Sequence, residues 1–580
     1  MVYNAQYYST SSSCTPITIS LNQKQIIINA IAPNKFQKKI SYDNCFGLTY
    51  SKDELRCQKR LKNVSDYIPY LIKTPTKNEI SEINNESELT YTTLTIHALD
   101  IPDRERMNSS NEYLEFTISF ETPQQTFEFY NVLKEKINIK ENRHILCILN
   151  PMSGRKKSLH VYNDLVIPMF KIANITSELK ETQYQCHCEE IAYSLNLDNY
   201  DGIVSVSGDG LFHELLNGIL SRDDWDKARY MPIGMISSGT SNALNINFDI
   251  TSSRHSILNI IKGNEMPFDI IRASQGDKVF FGHLSLSWGV MADTDIQSDR
   301  YRFIGRYKYY LAGAFRIIFV NKYHGHLYYL PEDSDVKPSY ELEDNYEANK
   351  IERENRRLNR FKLGGNSNEN EGMKIADSTD TLINEENNKN NTDNVKKESK
   401  YSINHVGLGP KPRYTNDNQV TEEMLKKDWV HVDMNFTSLC AVNFPFLSFD
   451  SLFGPEANPQ DGMIDLIYTD TLRVYNIMLD DGHGTYYKGK RKDDFHVKRT
   501  KAFVLIPDNT KTGEGGDFGV GLVNSKGKKD LDHGIFDLDG EIIPYEPIRI
   551  EILPQFQNIY APTGMDLDCM GKTIRKNFKF

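Results

Sequence analysis

The sequence has little cysteine, no long apolar run and no surplus of positive charge. Eight cysteines in 580 residues do not make a disulfide framework. Met1–Ser13 (MVYNAQYYSTSSS) lacks the apolar core of a signal peptide. Both observations lead to the expectation of a chain kept in the reducing cytosol. No apolar stretch reaches the roughly 18–20 residues that cross a bilayer. The richest, LAGAFRIIFV (Leu311–Val320), is shorter and contains Arg316. No myristoylation signal or prenylation box stands out, so any meeting with a membrane is expected to be peripheral and transient. The formal net charge of −11 argues against a nucleic-acid partner held mainly through its phosphates. What is present is a globular composition, 39% hydrophobic and 25% charged, with length for about two to four domains.

Residues 1–140 read as short strands with polar turns, such as ITISLN, KQIIINAI, LTYTTLTIHAL and YLEFTISF. A helix closes them, with Thr122 as N-cap, Pro123 at the first helical position and Gln125 completing a capping box. Many strands followed by one C-terminal helix resemble a pleckstrin-homology domain; the other reading is a β-rich extension packed on its neighbour. From His144 the pattern alternates. HILCILN, DGIVSVS, MPIGMIS and FDIIRAS read as buried strands, with helical patterns such as CEEIAYSLN and LFHELLNGIL between them. This predicts an α/β lobe over 141–275. A β-rich lobe is expected over 276–330 and 428–580. Residues 331–427 are rich in Asn, Glu, Lys and Ser and read as a disordered insert. Residues 509–533 read as a flexible loop.

Three strand-to-helix junctions carry chemistry. In CILNPMSGRKKS (Cys147–Ser158) a buried strand meets Ser153, Gly154, Arg155, Lys156 and Lys157, where backbone N–H groups and cations can cradle phosphates. It is not a Walker A loop. In VSVSGDGLFHELLNG (Val204–Gly218) an acid stands between Gly208 and Gly210. Glycines there permit close backbone approach and unusual conformations. Asp209 suits proton acceptance from an attacking hydroxyl or a share in holding Mg²⁺; the plainer reading is a capping turn. GMISSGTSNALNIN (Gly234–Asn247) offers Gly239, Thr240, Ser241 and Asn242 to phosphates. Cys186-His187-Cys188 has ligand types but no second pair at zinc spacing, so no metal site is assigned. The basic stretch Tyr486–Arg499 reads as a solvated strand pair or a contact for anionic lipid.

Together NPMSGRKKS, SGDGLFHELLNG and SSGTSNAL resemble the diacylglycerol-kinase catalytic superfamily. LSLSWGVMADTDIQSDRYRFIGRYKYYLAG (Leu284–Gly313) is similar to the sphingosine kinases in its Ser-Trp-Gly…Ala-Asp-x-Asp pattern, and FDLDGE looks like their Asp-Gly-Glu element, with DGMIDLIY (Asp461–Tyr468) as the strand expected before it. The resemblance covers about 144–330 and 428–560. It implies an α/β nucleotide-binding lobe and a β-rich sandwich that holds lipid, with ATP and Mg²⁺ between them. It implies a phosphotransferase acting on the primary hydroxyl of a sphingoid base, in the cytoplasm with peripheral membrane association; a homodimer is compatible with it. Asp209 corresponds to the catalytic acid/base. Asn150, Pro151 and Met152 fall in the first nucleotide loop and Thr182 to Cys186 at the adenosine. Gly208, Gly210, Glu214, Gly239, Thr240 and Ser241 continue the ATP site. Ser207 and Asp295 fall on the substrate side, Asp295 as the carboxylate that meets the ammonium head. Arg302 and Lys308 match cations near the phosphates, and Asp539, Gly540 and Glu541 close the nucleotide site.

The chain departs from that pattern in places. Ser237 stands for a proline and Ser241 for a glycine in SSGTSN, which puts nucleotide affinity in question. Lys308 stands where arginine is common, which turns a bidentate contact into a point charge. The acyl tail needs apolar walls, expected around Phe444, Phe446, Leu447 and Phe449. Rival readings are a ceramide or diacylglycerol kinase, a catalytically silent lipid-binding scaffold, and an NAD-kinase-like enzyme. Asp295 argues against the first pair, whose substrates carry no ammonium; a pleckstrin-like N-terminus favours ceramide.

Overall fold

The structure, a computed structural model, describes residues 2–8, 14–30, 36–51, 93–101, 112–120, 122–152, 157–239, 242–298, 321–364, 406–414, 428–448, 451–471, 495–508 and 534–562.

At the N-terminus seven antiparallel strands form one sheet. Its order is Gln37–Ser41, Gln25–Ala30, Cys14–Leu21, Val2–Tyr8, Glu112–Ser119, Thr93–Asp100 and Cys45–Ser51. Alternation sets the buried face: Ile17, Ile19, Ile26 and Ile28 point inward with Leu94, Ile96 and Ile118, as a period of two requires. Helix Pro123–Ile137 covers that face with Phe129, Leu133 and Ile137. Its capping box forms as expected: Gln125 N–H donates to Thr122 Oγ1, and Thr122 N–H to Gln125 Oε1, both at 3.3 Å. Such a cap is worth about 1 kcal/mol.

Next comes a parallel sheet in the order Thr176–Glu181, His144–Leu149, Gly202–Ser207 and Ile233–Ser237. Both faces are covered over the three strands His144–Leu149, Gly202–Ser207 and Ile233–Ser237, which is why these read as nearly continuous apolar runs, while the edge strand Thr176–Glu181 is polar and partly exposed. Leu146, Ile148, Ile203 and Met235 face helices His187–Ser194 and Asp209–Leu220 on one side. Cys147, Leu149, Val204, Val206 and Ile236 face the other side with Phe170, Ile257 and Ile261.

The long strand Ile548–Tyr560 joins this sheet to the β-rich lobe. It meets Ile233 in parallel through Ile559 and pairs antiparallel with Glu265–Gln275 and Ala502–Pro507. Tyr323–Tyr329 and Val430–Phe436 extend the sheet to its far edge. A six-stranded antiparallel sheet packs against it, with Ser285–Gly289 near its centre. Trp288, Phe436, Phe503, Phe536 and Ile550 fill the space between. The expected sandwich is present, but Glu265–Gln275 already pairs with Lys278–Gly282. The lobes therefore interlock rather than part at residue 275.

One expectation is corrected within 331–427. Residues 331–364 are described, and Tyr346–Gly364 is an α-helix. Charge rather than apolar burial docks it. Arg353, Arg356 and Arg360 share one helix face and pair with Glu265, Asp198 and Asp201 respectively. Residues 406–414 are docked as well: Glu551 accepts from Arg413 N–H at 2.7 Å and Tyr414 N–H at 3.1 Å. Residues 365–405, 415–427 and the expected loop 509–533 lie outside the described residues.

Candidate active site

Parallel pairing sets Ser207 beside Ser237 at the ends of two strands. The chain beyond Ser237 turns back onto its neighbour: Ser238 N–H and Gly239 N–H donate to Ser207 O at 2.9 and 3.2 Å. Gly239 thereby lies on Gly208. A Cβ on Gly239 would stand 3.1 Å from both Gly208 Cα and Gly208 N, so a side chain here would push the two backbones apart by a few tenths of an ångström. Gly208 itself is extended, at φ −125°, and Gly210 is helical. The Gly-Asp-Gly stretch thus serves close approach rather than a left-handed turn. Ser158 Oγ and Ser238 Oγ lie 2.9 Å apart, which brings the first junction to the third.

Asp209 opens helix Asp209–Leu220 and is 5% exposed. Its Oδ2 accepts from Ala243 N–H at 2.8 Å and its Oδ1 from Leu244 N–H at 3.1 Å. Those donors begin the short helix Ala243–Asn247. The capping reading is therefore correct in part, since Asp209 caps the next junction's helix. A carboxylate offers about four acceptor positions, so two backbone bonds do not preclude proton acceptance.

Glu214, one turn further, accepts from Cys188 N–H at 3.2 Å. Burial raises its pKa from 4.5 to about 7. The N–H groups of Cys186 and Cys188 pull it down, while Glu541 and Glu189 push it up again. Glu541 also reaches helix Asp209–Leu220: a methyl on Gly210 would stand 3.7 Å from Glu541 Oε1. Asp209, Glu214 and Glu541 thus gather along the N-terminal half of this helix.

Asp539 has a different place. It is buried and accepts from the N–H groups of His283, Leu284 and Ser285 at 2.8, 2.8 and 3.0 Å. His213 Nδ1 lies 3.0 Å away and His283 Nδ1 2.8 Å away. Burial pushes the Asp539 carboxyl up, but the two histidines outweigh it and hold the pKa well below the ordinary value. Asp539 ties helix Asp209–Leu220 to the sandwich rather than lining an open nucleotide wall. Gly540 N–H closes the turn onto Asp537 at 2.7 Å.

At the adenosine-side stretch, Thr182 is buried and its N–H donates to Leu149 O. Cys186 is buried in the left-handed region, at φ 66°. Between them Tyr184, half exposed, stacks on His187 with centroids 4.5 Å apart. Asn150 Oδ1 accepts from Met152 N–H at 2.9 Å, which shapes the turn after Pro151; Met152 is exposed.

In the Trp288 segment Gly289 takes φ +79°, and a Cβ there would meet Thr437 O at 2.4 Å. Helix Val290–Ser298 starts directly after it. Asp295 lies on this helix, and its side chain is outside the described residues. Asp293 is buried and accepts from Tyr323 Oη at 2.9 Å. Thr240, Ser241, Arg302, Lys308 and Phe449 also lie outside the described residues. Phe444 and Phe446 are buried in the core, where Phe444 packs on Phe248 at 5.8 Å and Phe268 at 6.2 Å. Among the described residues no helix is long and apolar enough to cross a membrane.

Sequence reasoning missed the Tyr184–His187 stack, the Ala243 and Leu244 partners of the Asp209 cap, and the His213–Asp539 pair. Only the aromatic in ETQYQCH was available as a local signal for the first; the others join residues distant in the chain.

Residues 144–273 match the family described as the diacylglycerol kinase catalytic domain. The chain is 28% identical over 418 residues to "Sphingosine kinase 1" of Arabidopsis thaliana, covering 70% of each protein. It is 26% identical to "Sphingoid long chain base kinase 4" of Schizosaccharomyces pombe, over 73% of this chain and 76% of that one. It is 36% identical to "Sphingosine kinase 2" of Arabidopsis thaliana over a shorter region, 33% of this chain and 40% of that protein.

Proposed function

We infer that this chain, which belongs with the sphingosine kinases in the diacylglycerol-kinase catalytic superfamily, is an ATP-dependent lipid kinase that phosphorylates the primary hydroxyl of a sphingoid base. The observation that carries the reading is Asp209: a buried carboxylate at a glycine-lined junction of parallel strands, held by two backbone N–H groups. Asp209 accepts the proton of the substrate hydroxyl as its oxygen attacks the γ-phosphorus. Asn150–Met152, Gly208, Gly210 and Gly239 line the phosphate side. Tyr184, with Thr182 and Cys186 on either side, offers a flat surface to an adenine. Asp295 meets the substrate ammonium, and Arg302 and Lys308 meet phosphate oxygens. The carboxylates of Asp209 and Glu541 are hard oxygen donors of the kind that suit Mg²⁺, which would offset phosphate charge when bound. Catalysis on this scheme is mainly positioning and electrostatics.

The N-terminal sheet, closed by a single C-terminal helix, reads as pleckstrin-like and suits peripheral docking on membranes. That same feature favours ceramide as a second substrate reading. Transfer of labelled γ-phosphate from MgATP to sphingosine, ceramide and diacylglycerol, each presented alone, separates them. Label on sphingosine supports the reading. Label on ceramide or diacylglycerol alone keeps the kinase and overturns the substrate. ATP binding without transfer to any lipid overturns both in favour of a scaffold.

A further inference from the structure

We propose that the outer face of the sheet edge formed by Tyr323–Tyr329, Val430–Phe436 and the end of Ala502–Pro507 holds a divalent transition-metal ion, with His324, His326 and Asp433 as ligands. The proposal is independent of the kinase reading.

The sequence His324-Gly325-His326 places two imidazoles on one face of a strand, because side chains alternate. Gly325 and Leu327 turn the other way, toward Trp288 and the sandwich core. Asp433 is the direct antiparallel partner of His326. Asp508 follows Pro507, and its N–H donates to His324 O at 3.0 Å. Three separate chain segments thus bring nitrogen and oxygen donors to one spot. Ligand atoms of His324, His326 and Asp433 all lie within 4.8 Å of one another. All three side chains are partly exposed, at 25%, 30% and 53%, so an ion can reach them.

The distances fit one ion. His324 Nε2 is 3.0 Å from Asp433 Oδ1, and His326 Nδ1 is 3.8 Å from Asp433 Oδ2. Tetrahedral zinc with bonds of about 2.0–2.2 Å sets its ligand atoms roughly 3.3 Å apart. The outer ring of contacts fits as well. His324 Nδ1 lies 2.7 Å from Asp508 Oδ2, so Asp508 can take the Nδ1 proton and leave Nε2 as a lone-pair donor, the usual support of a metal-bound histidine. His431 Nε2 lies 3.2 Å from His326 Nδ1 and supports that ring through a hydrogen bond. Its ring is stacked on Tyr328 at 4.3 Å. The ligands stand on paired strands, which hold them more rigidly than a loop would.

The buried trio His213, His283 and Asp539 also meets the proximity criterion but differs chemically. Asp539 there already accepts three backbone N–H groups.

The test is a Zn²⁺ titration of the full chain, freed of metal by a chelator, in competition with a chromophoric zinc indicator. The expected result is one equivalent bound, lost in His324→Ala/His326→Ala, and weakened about 10–100-fold in Asp508→Asn. X-ray absorption at the zinc edge should show nitrogen and oxygen ligands only. Far-UV circular dichroism of the metal-free variants checks their folding. If the double variant fails to fold, Asp508→Asn and the absorption spectrum decide. No bound zinc, an equal affinity in the variants, or sulfur in the coordination shell overturns the proposal.

Discussion

Asp209 Oδ2 accepts a hydrogen bond from the backbone N–H of Ala243 at 2.8 Å. The residue proposed as general base is therefore oriented by the next strand–turn–helix unit, not by its own loop. The same bond ties two junctions together, so the site's geometry depends on Ser238 and Gly239 keeping their place against Ser207 and Gly208.

Gly239→Ala tests that dependence. Its Cβ would sit 3.1 Å from the Gly208 backbone, and backbone cannot swing aside as a long side chain can. The variant should lose about 1–3 kcal/mol of stability and show a raised KM for ATP. Thermal melts and steady-state kinetics check this; an unchanged KM would remove the turn from the nucleotide site.

Asp539→Asn should act on stability. The substitution leaves His213 and His283 without their buried counter-charge, a loss of about 3–5 kcal/mol by analogy with other broken buried pairs. Urea unfolding at pH 7 measures it. The carboxylate's contribution in the wild type is present above its ordinary pKa of 3.8 and fades as pH falls through its lower folded value. Acid unfolding of the variant should therefore begin from a lower plateau.

Glu214 carries a pH signature of the opposite sign. Its folded pKa of about 7 lies above its ordinary 4.5, so the protonated form is favoured by folding. That contribution is complete below pH 4.5 and is lost as pH rises through 7. Glu214→Gln cannot ionise. In the nucleotide-free chain its melting temperature should match wild type near pH 4.5 and exceed it at pH 8. Parallel wild-type and variant profiles would rule the shift out.

Arg353 is the anchor of helix Tyr346–Gly364. It is 2.5 Å from Glu265, and both side chains are at most 10% exposed. Arg353→Ala leaves Glu265 buried and unpaired, a cost of about 3 kcal/mol. Limited proteolysis should cut within residues 331–364 faster in the variant, while equal rates would mean that the arginine does not hold the helix.

Local pattern made the elements legible. HILCIL, GIVSVS and IGMIS are apolar runs of strand length, and each forms a strand buried on both faces. Thr122 and Gln125 marked a helix start that the structure repeats. Pairing between distant segments left no such mark. Nothing near Ile548–Tyr560 says that it bridges Ile233 and Glu265–Gln275. Backbone donors such as Ala243 N–H carry no residue signature, so the orientation of Asp209 was hidden. Phe444 and Phe446 would look the same as core or as pocket wall, because composition does not state what lies opposite. The helix at 346–364 was obscured by low hydropathy. Its signal was the spacing of Arg353, Arg356 and Arg360, which matters only once acids face it.

The most direct test of the central claim compares wild type with Asp209→Asn in γ-phosphate transfer from MgATP to sphingosine. Asparagine keeps one acceptor oxygen for the Ala243–Leu244 cap but cannot take a proton at neutral pH. The account predicts a fall in kcat of about 10²–10⁴-fold, the usual worth of a general base, with the melting temperature and ATP affinity close to wild type. Transfer by the folded variant at near wild-type rate would contradict it and leave Asp209 as a helix cap.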